Sequence, residues 1–109
     1  MKKLFCRALI SAVNKKEAEK IASALVSKKL VAGAHLTKGQ SVYWWNNKIV
    51  EKEYYNVSVF SLAKNKQRII REVEKLHSDE CPVIAFFEMD GNRAFLDWIR
   101  ESTDAKKGK

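Results

Sequence analysis

The chain has 109 residues, and 21 Lys and Arg against 13 Asp and Glu leave it a formal charge of +8. That length supports one domain (1–109, with an ordered part of about 4–104 and a polar C-terminal tail), and 46% hydrophobic and 10% aromatic content exclude a disordered chain. No apolar run reaches the ~20 residues that cross a bilayer, so no membrane partner is expected.

Leu4 to Val13 is dense in apolar and β-branched residues and reads as a mostly buried strand. The basic start ahead of it has the outline of a secretory leader, but Arg7 interrupts the apolar stretch and no small-residue cleavage site follows. Cys6 and Cys81 are too few for a disulfide scaffold and read as reduced thiols, with a Cys6–Cys81 bridge left open. The expected compartment is therefore the cytoplasm. Asn14, with Glu17 three residues on, is a capping-box signal. The helix it opens carries Ala18, Ile21, Ala22 and Leu25 on one face and ends near Lys28-Lys29.

Leu30 to Leu36 reads as a strand broken at Lys38-Gly39-Gln40, and Ser41 to Trp45 resumes strand character. Asn46-Asn47 signals a two-residue hairpin turn, because Asn tolerates the positive φ that a type I′ turn needs. Lys48 to Phe60 is a long returning strand, so 30–60 forms one long hairpin with an expected kink around Gly39. A second helix spans about Ala63 to Leu76, with Ile69, Ile70, Val73 and Leu76 at helical spacing. Pro82 to Phe87 reads as a buried strand with the proline at its start. Asp90-Gly91-Asn92 turns into a third helix, capped by Asn92, that places Phe95, Trp98 and Ile99 on one face. The tail, Lys106-Lys107-Gly108-Lys109, is expected to fray.

The order β-α-β-β-α-β plus a C-terminal helix predicts an α+β, ferredoxin-like domain with an antiparallel sheet covered on one face. The hairpin carries Tyr43, Trp44, Trp45, Tyr54 and Tyr55, apolar bulk that one chain of this size does not cover alone. Large apolar surface marks an interface, so a closed homo-oligomer is expected, with Trp98 added to the same surface.

Among the chemistry-bearing residues, His77-Ser78-Asp79-Glu80-Cys81 is the densest cluster. Imidazole and thiolate are ligands that copper and zinc prefer, which makes His77 and Cys81 candidate metal ligands. The competing reading has His77 closing the second helix and Cys81 packing at the start of the next strand. The chain shows no nucleophile elbow, and its glycines at 33, 39, 91 and 108 are too scattered for a phosphate loop, so an enzyme is not expected.

Several stretches in register resemble the CutA-type divalent-cation tolerance proteins. They are Leu30-Val31-Ala32, Tyr43-Trp44-Trp45 with Lys48-Ile49, His77 ahead of Cys81-Pro82, and Gly91-Asn92 followed by Phe95-Leu96-Asp97-Trp98-Ile99. The resemblance covers about Leu4 to Ser102 and implies a ferredoxin-like subunit in a tight homotrimer, with long hairpins packing between subunits. It also implies binding of copper or another divalent metal, linked to metal tolerance, with no obligatory cofactor and no established catalysis. The family commonly has a cysteine where this chain has Gly33, a carboxylate and a lysine where it has Tyr54 and Phe60, and His-Pro-Tyr where it has His77-Ser78-Asp79. His35, two residues after Gly33 on the same strand face, is then either a substitute metal ligand or a hydrogen-bonded interface histidine.

Two other functions share this element order: a trimeric small-ligand sensor binding in inter-subunit clefts, and an RNA-binding module. The third strand of the RNA-recognition fold carries a Lys/Arg-Gly-aromatic pattern, absent from Lys48 to Tyr55, where acids interleave. Nucleic acid is thus not an expected partner. Lys2, Lys3, Lys106, Lys107 and Lys109 sit at the chain ends, leaving 16 basic and 13 acidic residues between them.

Overall fold

The computed structural model describes residues 4–103; the terminal lysines and the tail expected to fray lie outside the described residues. The elements are β1 (Phe5–Ala12), α1 (Lys15–Ser27), β2 (Gly33–Trp45), β3 (Lys48–Leu62), α2 (Lys66–Leu76), β4 (Ile84–Met89) and α3 (Arg93–Thr103). The strands form one antiparallel sheet in the order β2-β3-β1-β4, the expected ferredoxin-like arrangement. None of the described helices is long and apolar enough to cross a membrane.

Strand alternation sorts the side chains into two clusters. Ala8, Ile10 and Ala12 of β1 and Val57 and Val59 of β3 meet Ala18, Ile21 and Leu25 of α1 and Ile69 and Val73 of α2. Each fully buried Ile, Leu or Val there contributes roughly 1.5–3 kcal/mol. On the opposite sheet face, α3 lays Ile99 over Phe5 and Leu62. It covers only one corner, so Arg7, Leu9, Ser11, His35 and Ser58 lie on the part of that face that no described helix covers.

Local signals set the ends of α1. The Asn14 side chain accepts from the Glu17 N–H at 2.8 Å, and the Glu17 carboxylate reaches back to the Val13 N–H at 3.1 Å, a capping box displaced by one residue. At the other end Lys29 turns left-handed at φ 59°. The Leu30 and Val31 N–H groups then donate to the Leu25 carbonyl at 3.0 and 3.4 Å. Those bonds are why β2 begins at Gly33 and not at Leu30 as expected: both residues are buried, but their N–H groups close a helix.

The expected break at Lys38-Gly39-Gln40 is absent. The ladder continues from Gly33 opposite Phe60 to Trp45 opposite Lys48, with Gly39 opposite Tyr54. A Cβ on Gly39 would lie 3.1 Å from the Asn56 side-chain nitrogen, so the glycine makes room for Asn56 within a continuous strand. One 3-10 turn, Ala63–Asn65, leads into α2. Strand β4 starts two residues after Pro82 and is not buried: it pairs only with β1, and Phe87 is exposed. The Arg7 guanidinium lies 4.7 Å over the Phe87 ring.

Candidate functional site

Two features stand out beyond the core, an arm and the cleft at its root. Strand β1 pairs with β3 only from Tyr55 to Leu62, so beyond that point β2 and β3 pair with each other alone. Asn46 and Asn47 turn the tip at φ 52° and 63°, the two left-handed residues that the hairpin signal required. A two-stranded ribbon is marginal in water by itself. This one also exposes Val42, Trp44, Trp45 and Ile49, with Trp44 71% accessible.

Where the arm meets the segment after α2, a cleft of about 600 Å³ is lined by Ser11, Tyr43, Trp45, Tyr54, Asp79 and Cys81, among others. The Tyr54 hydroxyl donates to Asp79 Oδ2 at 3.3 Å. The Tyr43 hydroxyl lies 3.2 Å away, within hydrogen-bond distance of Tyr54, and either hydroxyl can donate. The hydrogen bond with Tyr43, desolvation and the Asp79 charge together push the Tyr54 phenol well above its ordinary pKa. The two rings meet edge to face at 6.2 Å, and the Lys52 ammonium lies 5.8 Å over the Tyr54 ring.

His77 closes α2 through its N–H, which donates to the Val73 carbonyl at 2.8 Å. Its buried ring is held at both nitrogens: Nε2 donates to the Ser11 carbonyl, and Nδ1 accepts from the Asp79 N–H at 3.0 Å. Glu17 lies 3.5 Å from Nδ1 and accepts from the Ser78 N–H at 3.2 Å. Burial alone would raise the Glu17 carboxyl, but the bonds from Ser78 and Val13 and the nearby imidazole hold it below its ordinary pKa. His77 is thus a fastener between β1, α1 and the cleft segment, with no lone pair free for a metal.

Cys81 is exposed, so it does not pack at the start of β4; Cys6 is buried, and burial raises its thiol pKa. Both cysteines are free. His35 lies on the open sheet face, edge-on to Phe60 at 5.2 Å, and is not brought to His77 and Cys81. Among the described residues, no three His, Cys, Asp or Glu side chains converge where they could hold a metal ion. His35, His77 and Cys81 therefore do not form one ligand cluster within the described part of the chain.

The candidate interface residues divide. Trp44, Trp45 and Trp98 are exposed and Tyr43 is half-buried, whereas Tyr54 is buried in its own cleft and Tyr55 packs against the main core. A Cβ on Gly33 would lie 2.9 Å from Trp98 Cη2, so the indole fills the space a larger residue would take. The Tyr43–Tyr54–Asp79 chain escaped the sequence reading, because Tyr54 and Asp79 meet only through the packing of the cleft segment.

A family model described as CutA1 divalent ion tolerance protein matches residues 6–102. The chain belongs to the CutA1 family. The divalent-cation tolerance protein CutA of Archaeoglobus fulgidus is 32% identical over 96 residues, covering 87% of this chain and 94% of that one. The protein of the same name from Thermus thermophilus is 32% identical over 97 residues, with the same coverage. Solved CutA structures superpose closely. That of A. fulgidus, described as periplasmic, gives a TM-score of 0.90 at 31% identity, over 92% of this chain and 99% of that one. That of T. thermophilus gives 0.89 at 29% identity, over 92% and 99%. The expected fold and family are both confirmed.

Proposed function

We propose that this CutA1-family chain works as a non-catalytic homotrimer in divalent-cation tolerance, taking copper or another divalent metal at subunit boundaries. The observation that carries the reading is the arm, whose Val42, Trp44, Trp45 and Ile49 are exposed and covered by no other described part of the chain. The arm and the open sheet face are different surfaces of one subunit. Docking one on the next subunit's other gives a head-to-tail contact that a ring closes. The family resemblance supplies the number three.

A site at a subunit boundary would draw its donors from more than one chain. Cys81, an exposed thiol in the cleft beside Asp79, is this chain's best soft donor. His77 contributes nothing to it, since both ring nitrogens are engaged. An exposed free thiol suits the reducing cytoplasm. The size and mixed polar and aromatic lining of the cleft favour one second reading, a small-ligand sensor that uses the cleft once a neighbour walls it.

Native mass spectrometry without and then with micromolar copper tests both halves. A trimer with copper adducts that Cys81→Ser removes is the expected result. A monomer overturns the assembly, and a trimer without adducts overturns the metal site.

A further inference from the structure

On the helix side of the sheet, away from the arm and the open face, α1 and α2 enclose a second cleft of about 590 Å³. Lys28 enters it from the end of α1, and Arg68, Arg71 and Lys75 from α2. The Glu72 carboxylate, nearly buried, accepts from Lys28 Nζ at 2.8 Å and lies 3.3 Å from Lys75 Nζ. One acid thus draws two ammonium groups toward the cleft while offsetting the charge of one. Arg68 donates to Asn65 at 3.4 Å, whereas Arg71 makes no hydrogen bond or ion pair among the described residues. Glu74 is the one other acid in the lining, so four cations face two carboxylates.

Arg68, Arg71 and Lys75 follow one another at three- and four-residue spacing, a row of like charge on one helix face about 10 Å long. Like charges at that spacing repel, and an extended anion relieves all three at once, whereas a single phosphate reaches two at most. No aromatic ring lines the cleft, and Leu30, its apolar residue, is buried, so its exposed chemistry is that of the cations and carboxylates.

We propose that this cleft binds a linear polyphosphate anion along the Arg68–Arg71–Lys75 row, with Lys28 facing it from α1. Both guanidinium groups suit phosphate oxygens through paired N–H donors. The phosphate chain is the element recognised, whether it comes as inorganic polyphosphate or as part of a nucleotide. The site lies on the helix face and does not depend on the trimer or on its metal.

Isothermal titration of the full chain at low salt with tripolyphosphate, ATP and orthophosphate tests this. One saturable site per chain is expected, with tripolyphosphate and ATP within about threefold of each other and orthophosphate at least about tenfold weaker. Arg68→Ala with Arg71→Ala should weaken tripolyphosphate at least about tenfold, while Lys48→Ala at the arm tip leaves it unchanged. Amide shift perturbation in the wild-type protein reads the same site without a variant, and should centre on Lys28 and 68–75. Three outcomes overturn the proposal: no saturable binding, equal weakening by Lys48→Ala, or ATP binding far more tightly than tripolyphosphate. Perturbation centred on the arm instead of α2 would also overturn it.

Discussion

Glu17 couples the start of α1 to the end of α2, and its removal tests how much that coupling stabilises the fold. Its carboxylate accepts the Val13 N–H at 3.1 Å and the Ser78 N–H at 3.2 Å beside the His77 ring. Glu17→Ala strips both donors of that acceptor and removes a negative charge from the first helical turn, where the dipole favours it. Ser78 is exposed, so water replaces its bond at little cost, whereas Val13 is half-buried. A lost cap costs ~1 kcal/mol and the dipole charge ~0.5 kcal/mol, so a loss of about 1.5–2 kcal/mol is expected near neutral pH. Because the folded-state pKa of Glu17 is depressed, its charge stabilises the fold above the unfolded value of about 4.3. That contribution is lost as pH falls through the folded value. Urea unfolding followed by circular dichroism, at one protein concentration, should therefore show a wide gap between wild type and variant at neutral pH. The gap should narrow below about pH 4. A neutral-pH gap under about 0.5 kcal/mol, or one unchanged in acid, refutes the reasoning.

Three further outcomes follow from the arm and its root. Gly33→Cys places a Cβ 2.9 Å from Trp98 Cη2 and should cost ~1 kcal/mol, a loss relieved in a Trp98→Ala background; equal losses in both backgrounds contradict it. Of the three tyrosines, Tyr54 should ionise last in an ultraviolet titration, and Tyr54→Phe should remove that lagging step; a single shared transition in the wild type counts against the hydroxyl chain. Trp44→Glu puts a charge on the most exposed ring of the arm and should yield folded monomer by native mass spectrometry, an outcome that a persistent trimer excludes.

Much of this fold is legible residue by residue, because its signals act over three or four positions. Asn14 and Glu17 announce α1, the spacing of Ala18, Ile21 and Leu25 selects its buried face, and Asn46-Asn47 specifies the turn. The element order implies the ferredoxin-like sheet, whereas the family enters through a resemblance carried by stretches such as Tyr43-Trp44-Trp45 and Gly91-Asn92. Where the sequence misleads, a partner that periodicity does not reveal has intervened. Leu30 and Val31 look like strand but close a helix, Gly39 looks like a break but accommodates Asn56, and β4 looks buried but is an edge. The site was the least legible part. His77 and Cys81 are conspicuous metal ligands by type, yet the Ser11 carbonyl, 66 positions from His77, removes one ring nitrogen from use.

The sequence by itself determined the elements, their buried faces and the aromatic load of the arm, since periodicity, capping and turn chemistry are local. Only the tertiary structure decided which polar groups are spent and which remain available. His77 is consumed by Ser11 and Asp79, Tyr54 by Tyr43 and Asp79, and Glu72 by Lys28 from another helix. Hydrogen-bonding capacity is finite, and its allocation depends on partners that the sheet order brings together from far along the chain.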